Sequence, residues 1–519
     1  MHWADRVAKE IIASGKYKPY WVDDMKTPSG YAHIGSMFGP VIHSAIYRAL
    51  KDAGEEATLT YVFNDFDPAD EFPSILKETL EGHQGKALKM VPSPDPKFDN
   101  LADFLAEDLK KSIEYLGFEA KYISSWELYN QGKFDEVIKL ALDNSEKIQD
   151  IYHKVSGSAK KEAGWLPFQV ICEKCGKLGT TRVFEWDGEK VSYRCEPDLV
   201  AWAKGCGHEG KISPFRGTGK LPWKVDWAAH WKVIGVTIEG AGKDHASAGG
   251  SYDIAMAICK EVFGYPMPYK LPYEFILIGG KKMSSSKGVG LKAHDLVKIL
   301  PAEVARFLFI NADIKSQSNF DPAGTMAIPD LFDTYDKAWE AQSRSYVLSQ
   351  IKEMLSKEKG FFAPRFRDVA NYLSQGLSDK EVLEKMTTEK GGKIDNSELA
   401  VLEERIKYAK VWLENYAPDD YKFEMTEEIP EMARDLNLDQ KKYLREVIKL
   451  FNNEVDADSL QLALYNLAKE KKIQTKDAFA AIYIAFIGKA HGPRAGVLLT
   501  NFGKEKVVDR ITDVTKEGD

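Results

Sequence analysis

Between Tyr20 and Phe63 the sequence runs strand, glycine-bearing loop, helix, strand, and that order constrains the fold more than any other feature. Tyr20-Trp-Val-Asp-Asp24 is a short aromatic and β-branched run, and Met25 to Ser36 carries Pro28, Gly30 and Gly35. Val41, Ile42, Ala45, Ile46, Ala49 and Leu50 then fall at helical spacing. Gly54 is a candidate C-cap, and Ala57 to Phe63 (ATLTYVF) reads as a second strand. Strand–loop–helix–strand order predicts a doubly wound, parallel α/β sheet. Ligands of such sheets sit at the carboxyl ends of the strands, where the loop at 26–36 belongs.

The pattern changes over about Asp95 to Phe215, first to helix and then to a cysteine-bearing segment. It resumes with a predicted strand at Val233–Glu239, a helix bearing Ile254, Ala257, Ile258 and Val262, and a strand at Glu274–Ile278. This predicts one α/β domain over about 1–320, split by an insertion at about 95–215. Beyond it, Leu331–Leu355, Lys441–Phe451, Leu460–Lys469 and Asp477–Ile487 carry helical periodicity, so 321–519 reads as an all-α region, with a loop at Thr388–Lys393. The longest apolar run, Ala478–Gly488, is too short for a bilayer, which needs about 20 residues. The start, MHWADRVAKE, lacks the apolar core of a signal peptide, so the expectation is a cytoplasmic protein without a membrane partner. Net charge is −8, and residues 331–519 hold 30 basic and 34 acidic residues. That balance argues against coating nucleic acid through bulk charge, while leaving room for local basic grooves.

Two segments carry chemistry. Thr27-Pro-Ser-Gly-Tyr-Ala-His-Ile-Gly-Ser36 lies at a strand-to-helix turn, where unpaired N–H groups and the positive end of the helix dipole suit phosphate. His33 adds a side-chain donor, and Gly30 and Gly35 permit close approach to the backbone. Gly280-Lys-Lys-Met-Ser-Ser-Ser-Lys-Gly288 follows the apolar run EFILI and has the composition of a cationic loop able to neutralise charge on a leaving pyrophosphate. In this order, each after a strand, the two resemble the HIGH and KMSKS motifs of class I aminoacyl-tRNA synthetases.

Further segments narrow the resemblance to class I lysyl-tRNA synthetase: Gly219-Lys-Leu-Pro-Trp-Lys-Val-Asp-Trp227, Glu239-Gly-Ala-Gly-Lys-Asp-His245, Gly249-Gly-Ser-Tyr-Asp253, Pro272-Tyr-Glu-Phe275, Asn64-Asp-Phe-Asp-Pro68, Arg306-Phe-Leu308 and Asn319-Phe-Asp-Pro322. Gly488-Lys-Ala-His-Gly-Pro-Arg494 and Asn501-Phe-Gly-Lys-Glu-Lys506 resemble that family's last helices, so the likeness spans nearly the whole chain. It implies a Rossmann-type catalytic domain, a zinc-ribbon-bearing insertion and an α-helical anticodon-binding domain. It also implies activation of lysine by ATP with Mg²⁺, then transfer to tRNA(Lys) by a cytoplasmic monomer that has no DNA partner.

The resemblance implies that His33, Lys282, Ser284 and Ser286 are catalytic, and that ATP is held by Ser29, Gly30, His33, Gly35, Ser36, Lys282, Met283, Ser285 and Lys287. Ser36 and Ser285 replace a histidine and a lysine of the class pattern, with Lys281 or Lys287 available as the cation. A buried ε-ammonium needs a carboxylate, and aromatic walls can hold its stem. Trp223, His245 and Tyr273 are the expected walls of the lysine pocket, with Gly30 and Asp244 near it and either Asp226 or Glu239 at the ammonium. Lys489, Arg494, Lys504 and Lys506 are candidates for contacting the anticodon loop.

Cys172-Glu-Lys-Cys175 and then Cys195 and Cys206-Gly-His208, with Gly176 and Gly207 at knuckle positions, suit one structural tetrahedral zinc in a ribbon at about 168–212. The ten residues between Cys195 and Cys206 are irregular for such a site, which leaves His208 as a possible substitute ligand. Cys259 reads as an ordinary buried cysteine. Pro94-Asp-Pro-Lys-Phe-Asp-Asn100 has no histidine, so no second metal is expected there.

Overall fold

The computed structural model describes residues 1–73, 76–159, 164–280, 291–351, 361–421, 423, 425–451 and 456–516. The chain divides into two units, Met1–Asp321 with Ala338–Met354, and Pro322–Lys337 with Leu355–Asp519.

In the first unit α1 (Trp3–Ser14) precedes β1 (Tyr20–Lys26), and the loop after β1 enters α2 (Phe38–Asp52) through a short 3₁₀ turn at Ile34–Met37. Then come β2 (Ala57–Phe63), α3 (Leu101–Tyr115) and β3 (Lys121–Ser124). After α4 (Ser125–Asn130), α5 (Asp135–Asp143) and α6 (Ser145–Ser156), the chain makes β4 (Gln169–Val170), β5 (Thr181–Trp186), β6 (Val191–Cys195), β7 (Glu209–Ile212) and β8 (Gly219–Lys220). It returns through α7 (Trp223–Ile234), β9 (Ile238–Gly242), α8 (Lys243–Ala246), α9 (Ser251–Glu261), β10 (Tyr269–Tyr273) and β11 (Ile276–Leu277). The unit then adds α10 (Ala293–Ile299), α11 (Ala302–Ile310) and β12 (Ser318–Asn319).

The main sheet is parallel with strand order β10-β9-β1-β2-β3. The chain runs outward from β1 in both directions, so a crevice opens at the carboxyl ends of β1 and β9. The expected apolar face of α2 is buried, with Val41, Ile42, Ala45, Ile46, Ala49 and Leu50 all 3% exposed or less. Packing of this one face, more than helix propensity, fixes the turn before α2 against the sheet.

Several expected boundaries move. Val233 and Ile234 finish α7, because Gly235 at φ 92° closes the helix in the left-handed region, and the strand starts only at Ile238. The strand predicted at Glu274–Ile278 is divided. Tyr269–Tyr273 joins the main sheet, and Ile276–Leu277 pairs with β12. β3 lies within the stretch expected as an insertion yet pairs with β2, so the α/β unit runs to about residue 124 before it is interrupted. β5, β6 and β7 form a separate antiparallel sheet around the cysteines.

Arg306 ties the unit together without a carboxylate partner. It is fully buried on α11 and donates to Leu348 O at 2.9 Å, Leu116 O at 2.7 Å and Ser44 Oγ at 2.8 Å. Burial pushes its guanidinium well below its ordinary pKa. Arg306→Met leaves the Leu116 carbonyl without this donor, while Leu348 O keeps only the longer bond from Arg48 Nη1 at 3.2 Å, and the change is expected to destabilise the first unit by about 2–3 kcal/mol. Urea unfolding followed by tryptophan fluorescence checks this, and an unshifted midpoint would refute it.

The second unit is helical. The helix expected at Leu331–Leu355 is broken into α12 (Ala327–Glu340) and α13 (Arg344–Ser349), with Gln342 at φ 46° between them, and α13 belongs to the first unit's Ala338–Met354 segment. There follow α14 (Phe366–Ser374), α15 (Asp379–Lys390), α16 (Asn396–Asn415), α17 (Leu438–Leu450), α18 (Ala457–Glu470), α19 (Thr475–Ile487), α20 (Ala495–Phe502) and α21 (Lys504–Thr515). Capping boxes at Ser378, Asp395 and Asn437 start α15, α16 and α17. Gly391, at φ 70°, ends α15 inside the expected loop. Leu444, Leu460, Leu464, Ile482, Phe486, Leu499 and Ile511 centre the core of α17–α21. No helix among the described residues is long and apolar enough to cross a membrane.

Candidate active site

A cleft of about 1200 Å³ opens at the carboxyl ends of β1, β9 and β10. Asp24, Lys26, Thr27 and Ser29 line it from β1 and its loop, Asn64 and Asp67 from beyond β2, Glu239 to Gly242 from β9, and Tyr273 from β10. Trp223 and Trp227 of α7, His245 of α8, and Arg182, Val183 and Phe184 of β5 complete the wall. Four of the expected lysine-pocket residues, Trp223, Glu239, His245 and Tyr273, therefore share one cavity.

Glu239 is the unusual member. Its side chain is buried, and Trp227 Nε1 donates to Oε1 at 2.8 Å while Trp231 Nε1 donates to Oε2. No cation of the described residues pairs with it. Burial pushes its carboxyl well above the ordinary range, the neighbouring Asp23 adds to the shift, and the two indole N–H groups oppose it. Beside it, Trp223 stacks on Trp227 with centroids 5.6 Å apart, and the His245 ring meets Trp223 edge-on at 5.2 Å. Trp223 is 42% exposed, which an aromatic with only a core role seldom is. The result is an aromatic box with a negative end.

Asp226, the alternative acid, is fully buried beneath α7 and does not line the cleft. Its charge is already met by Lys220 Nζ at 2.7 Å and by a hydrogen bond from Tyr129 at 2.5 Å. Lys220 also pairs with Asp67 at 2.5 Å, and burial disfavours its charge while the two carboxylates stabilise it. Asp244 is exposed on α8 and does not line the cleft.

On the other side of β1, Asp24 faces α2. A Cβ added at Gly39 would lie 2.8 Å from Asp24 Oδ2 and 2.9 Å from the Tyr273 hydroxyl, so only glycine lets α2 pack this closely. His43, one turn on, accepts a hydrogen bond from Gly240 N at Nε2 and lies 2.7 Å from Gly39 O through Nδ1. Burial opposes charge on the ring and Asp24 favours it, with a net upward shift. The Gly240 N–H nonetheless requires a neutral imidazole with its proton on Nδ1, donated to Gly39. Asp24, His43, Lys220 and Tyr129 were not anticipated from sequence. The available signal was Asp23-Asp24 in an otherwise apolar strand, since adjacent buried acids are rarely structural alone.

Ser29 and Gly30 lie in the loop after β1, and His33, Gly35 and Ser36 lie at the turn into α2. Lys281 to Ser286 and Lys287 lie outside the described residues, but both flanks of that segment are placed. Gly280 N donates to Asn319 Oδ1 at 2.8 Å. Downstream, Ile34 N donates to Leu291 O at 2.9 Å and Ala293 N to Ala32 O at 2.7 Å, with His33 opposite Lys292. The two motif regions thus share a backbone junction.

Cys172, Cys175, Cys195 and Cys206 bring their Sγ atoms within 4.8 Å of one another, so these four could hold a metal ion. Cys172 and Cys206 are 3.6 Å apart and Cys175 and Cys195 3.7 Å, close to the edge of a tetrahedron with metal–sulfur bonds of about 2.3 Å. Gly176 and Gly207, at φ 71° and 74°, make the two knuckles. His208 is not part of the cluster: its ring meets Tyr193 edge-on with centroids 6.1 Å apart, and the irregular spacing is absorbed before Cys206. Cys259 is buried on α9. In the second unit, Arg494 is held by Glu381 at 2.6 Å and Asp458 at 2.5 Å, which makes it a poorer phosphate contact than expected. Lys489 Nζ donates to Asp419 O at 2.5 Å, whereas Lys504 and Lys506 are exposed.

A family model described as class I (K) tRNA synthetases matches residues 1–359, and one described as an anticodon binding domain matches 361–515. The chain is 33% identical over 514 residues to the lysine–tRNA ligase of Archaeoglobus fulgidus, covering 98% of this chain and 99% of that one. It is 34% identical over 547 aligned positions to that of Methanocaldococcus jannaschii, covering 99% of each. Against the enzyme of Picrophilus torridus the figure is 31% over 528 positions and the whole of both chains.

Proposed function

Given that the chain belongs to the class I lysine tRNA synthetase family, with an anticodon-binding domain following the catalytic one in sequence, we propose that the cleft beside Glu239 is where its lysine is bound and activated. The activity is ATP-dependent ligation of lysine to tRNA. The lysine carboxylate attacks the α-phosphorus of ATP and expels pyrophosphate, and a terminal ribose hydroxyl of tRNA then takes the acyl group and releases AMP. Little covalent work falls to the protein in such phosphoryl chemistry, so positioning and charge stabilisation must supply the rate.

The observation that carries the pocket assignment is the buried Glu239 carboxylate, held in place by two indoles and lacking a cation of its own among the described residues. The ε-ammonium of lysine supplies the missing charge, and Trp223, Trp227 and His245 pack along its stem. Asp24, on the far side of β1 but in the same cleft, is placed to take the α-ammonium. A glutamate-type substrate would instead require a cation at this end of the box. Amino-acid-dependent pyrophosphate exchange, run with and without tRNA, tests the assignment, with lysine expected to be the sole efficient substrate.

For ATP, the Gly35 backbone N–H and the His33 side chain suit phosphate oxygens, since Ile34 N and Ser36 N already donate to Leu291 O and His33 O, with Mg²⁺ accompanying the nucleotide. Lys282, Ser284 and Ser286 would neutralise the departing pyrophosphate. Lys282→Ala is expected to slow charging about 10²- to 10³-fold while tRNA binding persists. An unchanged charging rate in that variant would remove the loop from the mechanism.

The four-thiol cluster fits Zn²⁺ in geometry and in donor softness. With every coordination position filled by protein, zinc there would fold the β5–β7 sheet and would not touch substrate.

A further inference from the structure

Asp23 lies directly across from Glu239 in the parallel pairing of β1 and β9, so the two carboxylates project from the same face of the sheet on neighbouring strands. Both are buried. Asp23 Oδ1 accepts the Thr60 hydroxyl, while Oδ2 is buried with no hydrogen-bond partner among the described residues. Glu239 reaches the cleft; Asp23 does not line it.

We propose that Asp23 keeps a proton while the cleft is empty and loses it to solvent when the lysine ammonium reaches Glu239, so that lysine binding and proton release are coupled. This rests on the assignment of the ammonium to Glu239. Two carboxylates side by side in a dry site cannot both ionise cheaply, and an arriving cation removes the obstacle. Burial raises Glu239 as well, but both of its oxygens accept indole N–H bonds that hold the ionised form, whereas Asp23 Oδ2 has no hydrogen-bond partner among the described residues, so the proton of the pair sits on Asp23. The proton leaves the Asp23 carboxyl for buffer, and the ammonium itself stays protonated throughout.

Burial carries the Asp23 carboxyl up to about 7, with the Thr60 bond opposing and the Asp24 charge adding. The other groups facing this pair are Asp24 on β1, His43 on α2, Tyr61 on β2, Tyr252 on α9 and Tyr273 on β10, while Lys26 interacts with Asp24. From α7 come only the indoles of Trp227 and Trp231, which do not titrate. The three phenols are pushed well above their ordinary range by burial and stay neutral near pH 7.

Because the bound state favours the ionised acid, lysine affinity should rise with pH up to about 7, by at most about tenfold per pH unit, and level off above. Calorimetric titration of lysine into the full chain, with lysine-accepting tRNA present and ATP absent, reads this directly. Repeating it in phosphate and in imidazole, whose ionisation heats differ, counts the protons released. Up to one proton per lysine is expected below pH 7. Asp23→Asn should bind lysine with a flat profile and release none, an effect that a merely structural Asp23 would not produce. No proton release by the parent chain, or an undiminished slope in Asp23→Asn, would overturn the proposal. Failure of the underlying assignment looks different: Glu239→Gln would then bind lysine as tightly as the parent.

Discussion

Glu239→Gln is expected to lower kcat/KM for lysine in tRNA charging by about 10²- to 10⁴-fold while the chain stays folded. Removing one member of a buried ion pair costs about 3–5 kcal/mol, because the charge left behind has neither water nor partner. With the ammonium assigned to Glu239 as proposed above, the pair would form only in the complex, so the loss falls on substrate affinity and not on the stability of the free chain. Glutamine can still accept one indole N–H, but its amide nitrogen would face the second indole donor, so a modest drop in stability accompanies the kinetic effect. Steady-state charging with lysine varied, beside a thermal melt, separates the two. A change below tenfold would mean that the ammonium is held elsewhere.

Metal removal should be as damaging by another route. Metal analysis of the purified chain is expected to give one zinc per molecule, and Cys172→Ser or Cys175→Ser to lose it. Zinc bound by four thiolates contributes about 10–16 kcal/mol to folding its own segment. Here that segment is a three-stranded sheet with only a few core side chains, Val183, Val191, Tyr193 and Cys195 among them. Arg182, Val183 and Phe184 of the same sheet line the cleft, so lysine charging should fall together with zinc content under chelation. Full activity in zinc-free protein would contradict both the metal assignment and the link to the cleft.

What could be read from the sequence was what depends on short-range pattern. The α2 face, the turn at 27–36, the buried Cys259, the helices containing Leu460–Lys469 and Asp477–Ile487, and the helix expected at Lys441–Phe451, which ends one residue earlier at Leu450, all follow from spacing within one element. The four cysteines were also legible, but choosing between Cys206 and His208 required knowing how ten intervening residues fold. Where two patterns overlapped, the boundary went wrong. Val233 and Ile234 suit a strand by composition but complete a helix that is set by Trp223 onward and closed by Gly235. The choice between Asp226 and Glu239 could not be made at all, because Asp226 is claimed by Lys220 and by Tyr129, the latter 97 residues away in sequence. Long-range pairing of charges leaves no periodic trace.

The junction between Leu291–Ala293 and Ala32–Ile34 is closed, among the described residues, by hydrogen bonds from main-chain amides to main-chain carbonyls. Stitching of that kind is indifferent to which side chains the neighbouring motifs carry. Evolution can therefore exchange a histidine for Ser36 or a lysine for Ser285 without unfastening the seam, and the penalty of such drift falls on turnover and not on architecture.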